Sequence, residues 1–363
     1  MIAAGGTAGH VVPAIAVADA LRDSGRANVS FIGTRERAEA ELVPEAGYEI
    51  DFLRVHGLDR RNPVKALVAA GRAARAVTEA RRVLEARGAG VVLGGGGYVA
   101  GPAGLAAVRM GLPLVLTEAD SHLGLANRLL ARRARAVCLA FPIPGREGHP
   151  YRVTGRPVPR AVLDADPAAA RRRFGIPEGD RCVAVVGGSL GALSINEAAV
   201  GAFAEPAVPA ARGAADPWIV HVAGRRDFEQ LKQRWEQAGS PERYLLLEYE
   251  PSLGEVLAAS DLVVARAGGS VMEIAAAGRP ALLIPYPHAT ADHQSANARW
   301  MADGGAAITI EDSELSAERL RSEVAALLAD ERRLAEMSAA ARRLARPDAA
   351  ERIAAEVLRA AGR

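Results

Sequence analysis

Residues 261–297, DLVVARAGGSVMEIAAAGRPALLIPYPHATADHQSAN, alternate in a way that few folds accept. The short apolar run at 262–265 has the length of a buried strand. Arg266-Ala-Gly-Gly-Ser270 then turns the chain, with two glycines able to take φ > 0 or admit a ligand close to the backbone. Residues 271–277 read as a short helix closed by Gly278, and residues 280–285 as the next strand. Such a strand–helix–strand unit belongs to an open α/β sheet, where ligands sit beyond the carboxyl ends of the strands. The polar loop at 288–294 falls at that end. Glu273 lies in the first turn of the helix, where its carboxylate suits the dipole and can accept hydrogen bonds from a diol. His293 and Gln294 add donors and acceptors facing the same mouth. From spacing alone, ordinary capping of a strand–turn–helix accounts for the segment equally well.

The pattern recurs. A stub of a strand at 2–4 runs into Gly5-Gly-Thr-Ala-Gly-His10, with Pro13 near the start of a helix. So short a first strand suggests that a few residues precede it. Residues 91–93 run into Gly94-Gly-Gly-Gly-Tyr-Val-Ala-Gly-Pro102, and residues 181–186 into Gly187-Gly-Ser-Leu-Gly-Ala192. Glycines at a strand-to-helix turn leave backbone N–H groups free to approach a phosphate at the helix N-terminus, although many such turns only pack tightly. Further strands are expected at 28–33, 49–53, 113–116, 218–223 and 244–247, and a closing helix at 348–361. The Pro/Gly segment Thr154-Gly-Arg-Pro-Val-Pro159 marks a domain boundary. The expected division is 1–157, 158–345, and a C-terminal helix at 346–363 that returns to the first domain.

At 363 residues two domains are the natural prior. A net charge of +2 leaves no global nucleic-acid footprint. Cys138 and Cys182 stand far apart with no Cys-x-x-Cys pair, so neither metal nor redox work is indicated, and a reducing cytoplasm is the simplest compartment. No basic leader precedes an apolar stretch at the N-terminus. Residues 91–108 are uncharged and near the lower limit for a spanning helix, but four consecutive glycines and Pro102 break them into strand, turn and helix. Residues 60–87 read as an amphipathic helix carrying eight basic and two acidic side chains, with Val64, Leu67, Val68, Val77 and Leu84 on its apolar positions. Such a helix is either a solvated face on a core-packed element or a peripheral dock for anionic lipid.

The segments GGTAGHVVPAIAVADAL, GGYVAGP, GGSLGA and RAGGSVMEIAAAGRPALLIPYPHATADHQSANA together resemble the MurG family, bacterial N-acetylglucosaminyltransferases of cell-wall synthesis. The resemblance spans nearly the whole chain. It implies a GT-B architecture, two Rossmann-like α/β domains whose parallel sheets face across a cleft. The implied reaction is transfer of N-acetylglucosamine from UDP-N-acetylglucosamine to lipid I, forming lipid II at the cytoplasmic face of the membrane. Implied donor residues are Gly188, Ser189 and Gly191 of the third glycine loop, Tyr249 and Glu250 in the uracil segment, Glu273 on the ribose, and His293 and Gln294 on the sugar. Implied acceptor residues are Thr7, Gly9, His10, Gly97, Tyr98, Glu118 and Asp120. His10 becomes the candidate general base, an imidazole being suited to take a proton from a sugar hydroxyl near neutral pH. A histidine at a helix start can also simply bond a neighbouring loop. No metal cluster is visible, and no cofactor beyond the donor substrate is expected. Cell-wall synthesis proteins are possible partners, as is an anionic membrane surface.

This chain departs from the family pattern at several points. Ala8 replaces a commoner glycine, and Leu190 and Leu193 replace glutamine and arginine. Arg156 stands where asparagine is usual. Thr117-Glu118-Ala119-Asp120 replaces His-Glu-Gln-Asn, and the turn before Glu273 is one residue shorter. A GT-B transferase with another acceptor therefore remains open, as does a non-catalytic nucleotide-sugar-binding paralogue. A dinucleotide-dependent dehydrogenase fits less well, because the first loop is not G-x-G-x-x-G.

Overall fold

The apolar runs of the first half become one parallel sheet. Its strands are β1 (Ile2–Ala4), β2 (Ser30–Gly33), β3 (Glu49–Phe52), β4 (Val92–Gly96), β5 (Leu114–Glu118), β6 (Ala136–Leu139) and β7 (Tyr151–Val153), in the order β3-β2-β1-β4-β5-β6-β7. The computed structural model describes residues 1–54, 63–188, 192–205, 216–289 and 292–362, with 63–73 described by backbone alone. Helices cover both faces, which is what all-parallel sheets require. Successive residues therefore enter opposite cores. Ile2 and Phe31 pack on one face with Val11 and Val17, while Ala3 and Ile32 pack on the other with Leu84 and Leu116.

The second sheet holds β8 (Cys182–Val186), β9 (Trp218–Val222), β10 (Tyr244–Leu247), β11 (Leu262–Ala265), β12 (Ala281–Leu283) and β13 (Ala307–Thr309), in the order β10-β9-β8-β11-β12-β13. It too is all parallel. The chain divides into Met1–Pro159 with Arg346–Arg363, and Arg160–Ala345. The helix Ala349–Ala360 belongs to the first unit, where Ile353, Val357 and Leu358 join the core containing Ile2 and Val11.

Each sheet reverses its strand order once, between β1 and β4 in the first and between β8 and β11 in the second. Loops leaving adjacent strands in opposite directions part there and open a crevice. Those strands are the ones that carry the glycine turns at 5–10, 94–101, 187–192 and 266–270.

One expectation needs correction. Residues 288–294 are not all loop, because His293 opens the helix His293–Asp303. Its polar start lacks apolar periodicity, and the helix is held by Asn297, Ala298 and Met301, all buried. The basic helix spans Pro63–Ala86; Val77 and Leu84 are buried in the core while Arg75 and Arg82 are exposed. Val64, Leu67, Val68 and Arg72 lie outside the described side chains, and Arg60 outside the described residues.

Candidate functional site

In the first unit the loops after β1 and β4 lie against each other. Gly97 has φ +76, and a Cβ there would stand 1.8 Å from the Gly5 carbonyl oxygen, so only glycine permits this approach. Gly96, with φ +99, sits beneath the His10 ring, where an added Cβ would meet Cδ2 at 2.4 Å. His10 lies in the first turn of the helix Ala8–Asp23, and its Nδ1 is 3.4 Å from the Thr7 hydroxyl. An open pocket of about 380 Å³ is lined by Gly9, His10, Pro13, Thr117, Glu118 and Arg156, among others. Arg156 donates to the Gly9 carbonyl at 2.6 Å. Burial and then the Arg156 guanidinium lower the His10 pKa, opposed by Asp120 and Glu39. The imidazole is thus kept neutral, the form a general base requires.

Glu118 is the polar floor of that pocket. Its carboxylate accepts from the Gly124 amide at 2.8 Å, the Asn127 side chain at 2.9 Å and the Asp120 amide at 3.3 Å. Burial raises its pKa, and those three hydrogen bonds oppose the rise. Its reach is spent on shaping the loop after β5.

In the second unit the turn after β11 is braced from two sides. Asn297 donates to the Ala267 carbonyl at 3.0 Å. Arg266 donates to the carbonyls of Ile284 and Pro285 at 3.2 and 3.3 Å, to the Ser194 hydroxyl at 2.7 Å, and to Asp312. Ser194 belongs to the helix Leu193–Ala199 that follows the third glycine loop. Glu273, half-buried, lies in the first turn of the helix Val271–Ala276. The Gln294 side-chain carbonyl accepts from the Tyr286 amide at 2.9 Å, fixing the loop after β12.

The helix Leu193–Ala199 is anchored from inside. Asn196 donates to the Ala223 carbonyl at 2.9 Å and to Asp227 at 3.1 Å, so its oxygen is left to accept from His221 Nε2 at 2.9 Å. That fixes the His221 tautomer, and Nδ1 accepts from the Tyr244 hydroxyl at 2.7 Å. Burial lowers the His221 pKa to about 3.

Residues 1–139 match the glycosyltransferase family 28 N-terminal domain and residues 182–353 the glycosyltransferase family 28 C-terminal domain. Relatives from Salinibacter ruber and Moorella thermoacetica are both named UDP-N-acetylglucosamine–N-acetylmuramyl-(pentapeptide) pyrophosphoryl-undecaprenol N-acetylglucosamine transferase. The first is 40% identical over 370 residues, covering 100% of this chain and 97% of its own. The second is 40% identical over 370 residues, covering 99% and 98%. The crystal structure of Acinetobacter baumannii MurG superposes with a TM-score of 0.76 at 30% identity, over 99% of this chain and 98% of that one. The chain is a MurG-family glycosyltransferase. A structure of S. aureus MnaA with UDP, at 15% identity and TM-score 0.68, shares the fold alone.

Within this MurG-family chain, the expected site residues divide. Gly9, His10 and Glu118 line one pocket. Thr7 touches His10, whereas Tyr98 is 57% exposed outside that lining. Gly97 serves the contact between the glycine loops, and Asp120 acts on His10 through its charge. The first glycine loop is less open to anions than expected, since the Gly6 amide donates inward to Glu39 at 2.9 Å. Glu250 is also committed: it pairs with Arg173 at 2.7 Å and accepts from the Ser252 amide at 2.8 Å. Tyr249 is exposed, with the Arg225 guanidinium 5.0 Å above its ring. Gly188 takes φ +86, while Ser189 and Gly191 lie outside the described residues. Sequence reasoning missed Glu39, Asn297 and the bracing role of Arg266. Asn297 closes the most informative stretch of the chain, and its place one helical turn after Gln294 was a usable signal.

Among the described residues, no group of three or more His, Cys, Asp or Glu is arranged to hold a metal ion. No helix among them is long and apolar enough to cross a membrane.

Proposed function

We propose that this glycosyltransferase moves N-acetylglucosamine from UDP-N-acetylglucosamine onto lipid I, undecaprenyl-pyrophosphoryl-N-acetylmuramyl-pentapeptide, making lipid II. The acceptor's free hydroxyl attacks the anomeric carbon, UDP leaves, and the α-linked donor gives a β-linked product. His10 takes the hydroxyl proton. The observation that carries this reading is the place of His10: at the edge of an open pocket, seated on the second glycine loop, with its pKa held low. Glu273 holds the ribose hydroxyls and Gln294 the donor sugar. Charge growing on the departing diphosphate is met by the third glycine loop and the helix start behind it, and no dedicated metal is required. Transfer takes place on an anionic membrane surface at its cytoplasmic face, with the basic helix Pro63–Ala86 as the peripheral contact. The deciding experiment is transfer from UDP-N-acetylglucosamine to a short-chain lipid I analogue, followed by UDP release.

A second reading keeps the donor and changes the acceptor. It is favoured by Thr117, Ala119 and Arg156 in the pocket lining, where the family carries other side chains. Under it the enzyme transfers poorly to lipid I while still binding UDP-N-acetylglucosamine. Restoring His-Glu-Gln-Asn at 117–120 separates the two, since a lipid I enzyme keeps or improves its turnover.

A further inference from the structure

Glu39 opens the helix Glu39–Glu45 and is wholly buried. One carboxylate oxygen accepts from the Gly6 amide at 2.9 Å. The other accepts from the Thr34 amide at 2.9 Å and the Thr34 hydroxyl at 2.6 Å. Burying a carboxylate is costly, and hydrogen bonds from three donors offset that cost. Two glycines make the room. A Cβ on Gly5 would stand 2.4 Å from Oε1, and one on Gly33 would stand 2.5 Å from the Glu39 Cγ. The carboxylate therefore fills the space beneath the first glycine loop.

That loop is the seat of the second one. Gly5, directly above the carboxylate, presents the carbonyl against which Gly97 closes. Gly96, the next residue back, underlies the His10 imidazole. Glu39, Gly5–Gly6, Gly96–Gly97 and His10 thus form one continuous stack, with glycine wherever a side chain would collide.

We propose that Glu39 is a positioning residue of the transfer site, holding the first glycine loop in the shape that receives the second and places His10 at the pocket. The inference rests on His10 being the base. Glue between a helix and a loop would affect only stability; a positioning role affects turnover. It also has an electrostatic signature. The charged groups around His10 are Arg156, which lowers its pKa, and Asp120 and Glu39, which raise it, and the Glu118 carboxyl belongs to a residue lining the same pocket.

The test uses the full chain, UDP-N-acetylglucosamine and a short-chain lipid I analogue, with Glu39→Gln, Glu39→Asp and His10→Ala. Misplacing a catalytic group by about 1 Å costs on the order of 100-fold. Both Glu39 variants are expected to lose about 10- to 100-fold in kcat, with UDP affinity by calorimetry and the KM for the donor unchanged. Removing the charge moves the acid limb of the rate profile to lower pH in Glu39→Gln, whereas Glu39→Asp retains the charge and the limb. Folded variants with wild-type kcat and acid limb, beside an inactive His10→Ala enzyme, overturn this inference alone. Normal turnover in His10→Ala overturns the base assignment and the inference with it. If the Glu39 variants do not fold, Thr34→Val removes one hydrogen bond from the same carboxylate. Reduced kcat at unchanged UDP affinity then supports the proposal, and unchanged kcat refutes it.

Discussion

The Arg266 guanidinium donates to the Ser194 hydroxyl across 2.7 Å, joining the turn after β11 to the helix behind the third glycine loop. The same group reaches the carbonyls at the end of β12 and the Asp312 carboxylate. Segments that follow β8, β12 and β13 are thereby tied to the turn after β11 by one planar fork. Lysine carries the charge without the fork. Arg266→Lys is expected to lower stability by about 1–3 kcal/mol. It should also weaken UDP by roughly tenfold, or about 1.4 kcal/mol. Urea unfolding and calorimetry measure the two; unchanged UDP affinity would mean that the bracing does not reach the donor.

Glu273→Ala should weaken UDP by roughly 1.5–3 kcal/mol, on the order of 10- to 150-fold, if its carboxylate accepts from the ribose hydroxyls. Gln294→Ala should raise the KM for the sugar nucleotide and leave free UDP binding nearly unaltered. Calorimetry with UDP, set beside steady-state kinetics, separates the two roles.

His10→Ala should leave UDP binding intact and slow transfer by on the order of 10²- to 10⁴-fold. In the native enzyme the acid limb of kcat/KM should fall below the ordinary imidazole value of about 6.5, because burial and Arg156 both disfavour the charged ring. Arg156→Gln removes the second of these influences, so the limb should move to higher pH. A limb that stays in place would detach Arg156 from the base.

His221 is fully buried and neutral in the folded state, with its pKa lowered to about 3. The unfolded chain binds a proton near pH 6.5 that the folded chain refuses until about pH 3, so acid favours unfolding over that window. The contribution is fully present above pH 6.5 and is lost on acidification at up to about 1.4 kcal/mol per pH unit. Replacing His221 with glutamine should flatten this part of the stability profile, as read by urea titrations at stepped pH.

Arg75 and Arg82 project from the helix Pro63–Ala86 into solvent. Reversing their charge together with that of Arg72 should abolish salt-sensitive flotation with anionic vesicles, an attraction that is mainly electrostatic. Flotation that survives the reversal would exclude this helix as the anchor.

Much of this was legible because the pattern is local. A short apolar run followed by glycines has few uses other than a buried parallel strand entering a ligand-side turn, and each such run became a strand beside a switch point. Strands β6, β7 and β13, three or four residues each, escaped notice because runs so short carry little pattern unless glycines follow them, as they follow β1. The helix at His293 escaped because its stabilising contacts come from Asn297 and Met301, further along, while its opening residues are polar. Glu39 was hidden in a charged stretch that reads as solvated surface; only the pairing of β1 with β2 brings Gly33 and Gly5 around it. The partners of His221 come from two other elements, so no spacing rule could announce them.

The helix Ala349–Ala360 completes the core of the unit that begins at Met1. A ribosome makes that unit's first strand early and its last buried residues at the very end. Arg160–Ala345 emerges whole in between and can finish folding first, contrary to the usual N-to-C order of multidomain chains. Until Ile353, Val357 and Leu358 arrive, the nascent first unit carries an uncovered apolar face beside Val11 and Val17. Premature termination between Ala345 and Ile353 should therefore yield a chain with a finished second unit and a first unit that recruits chaperones.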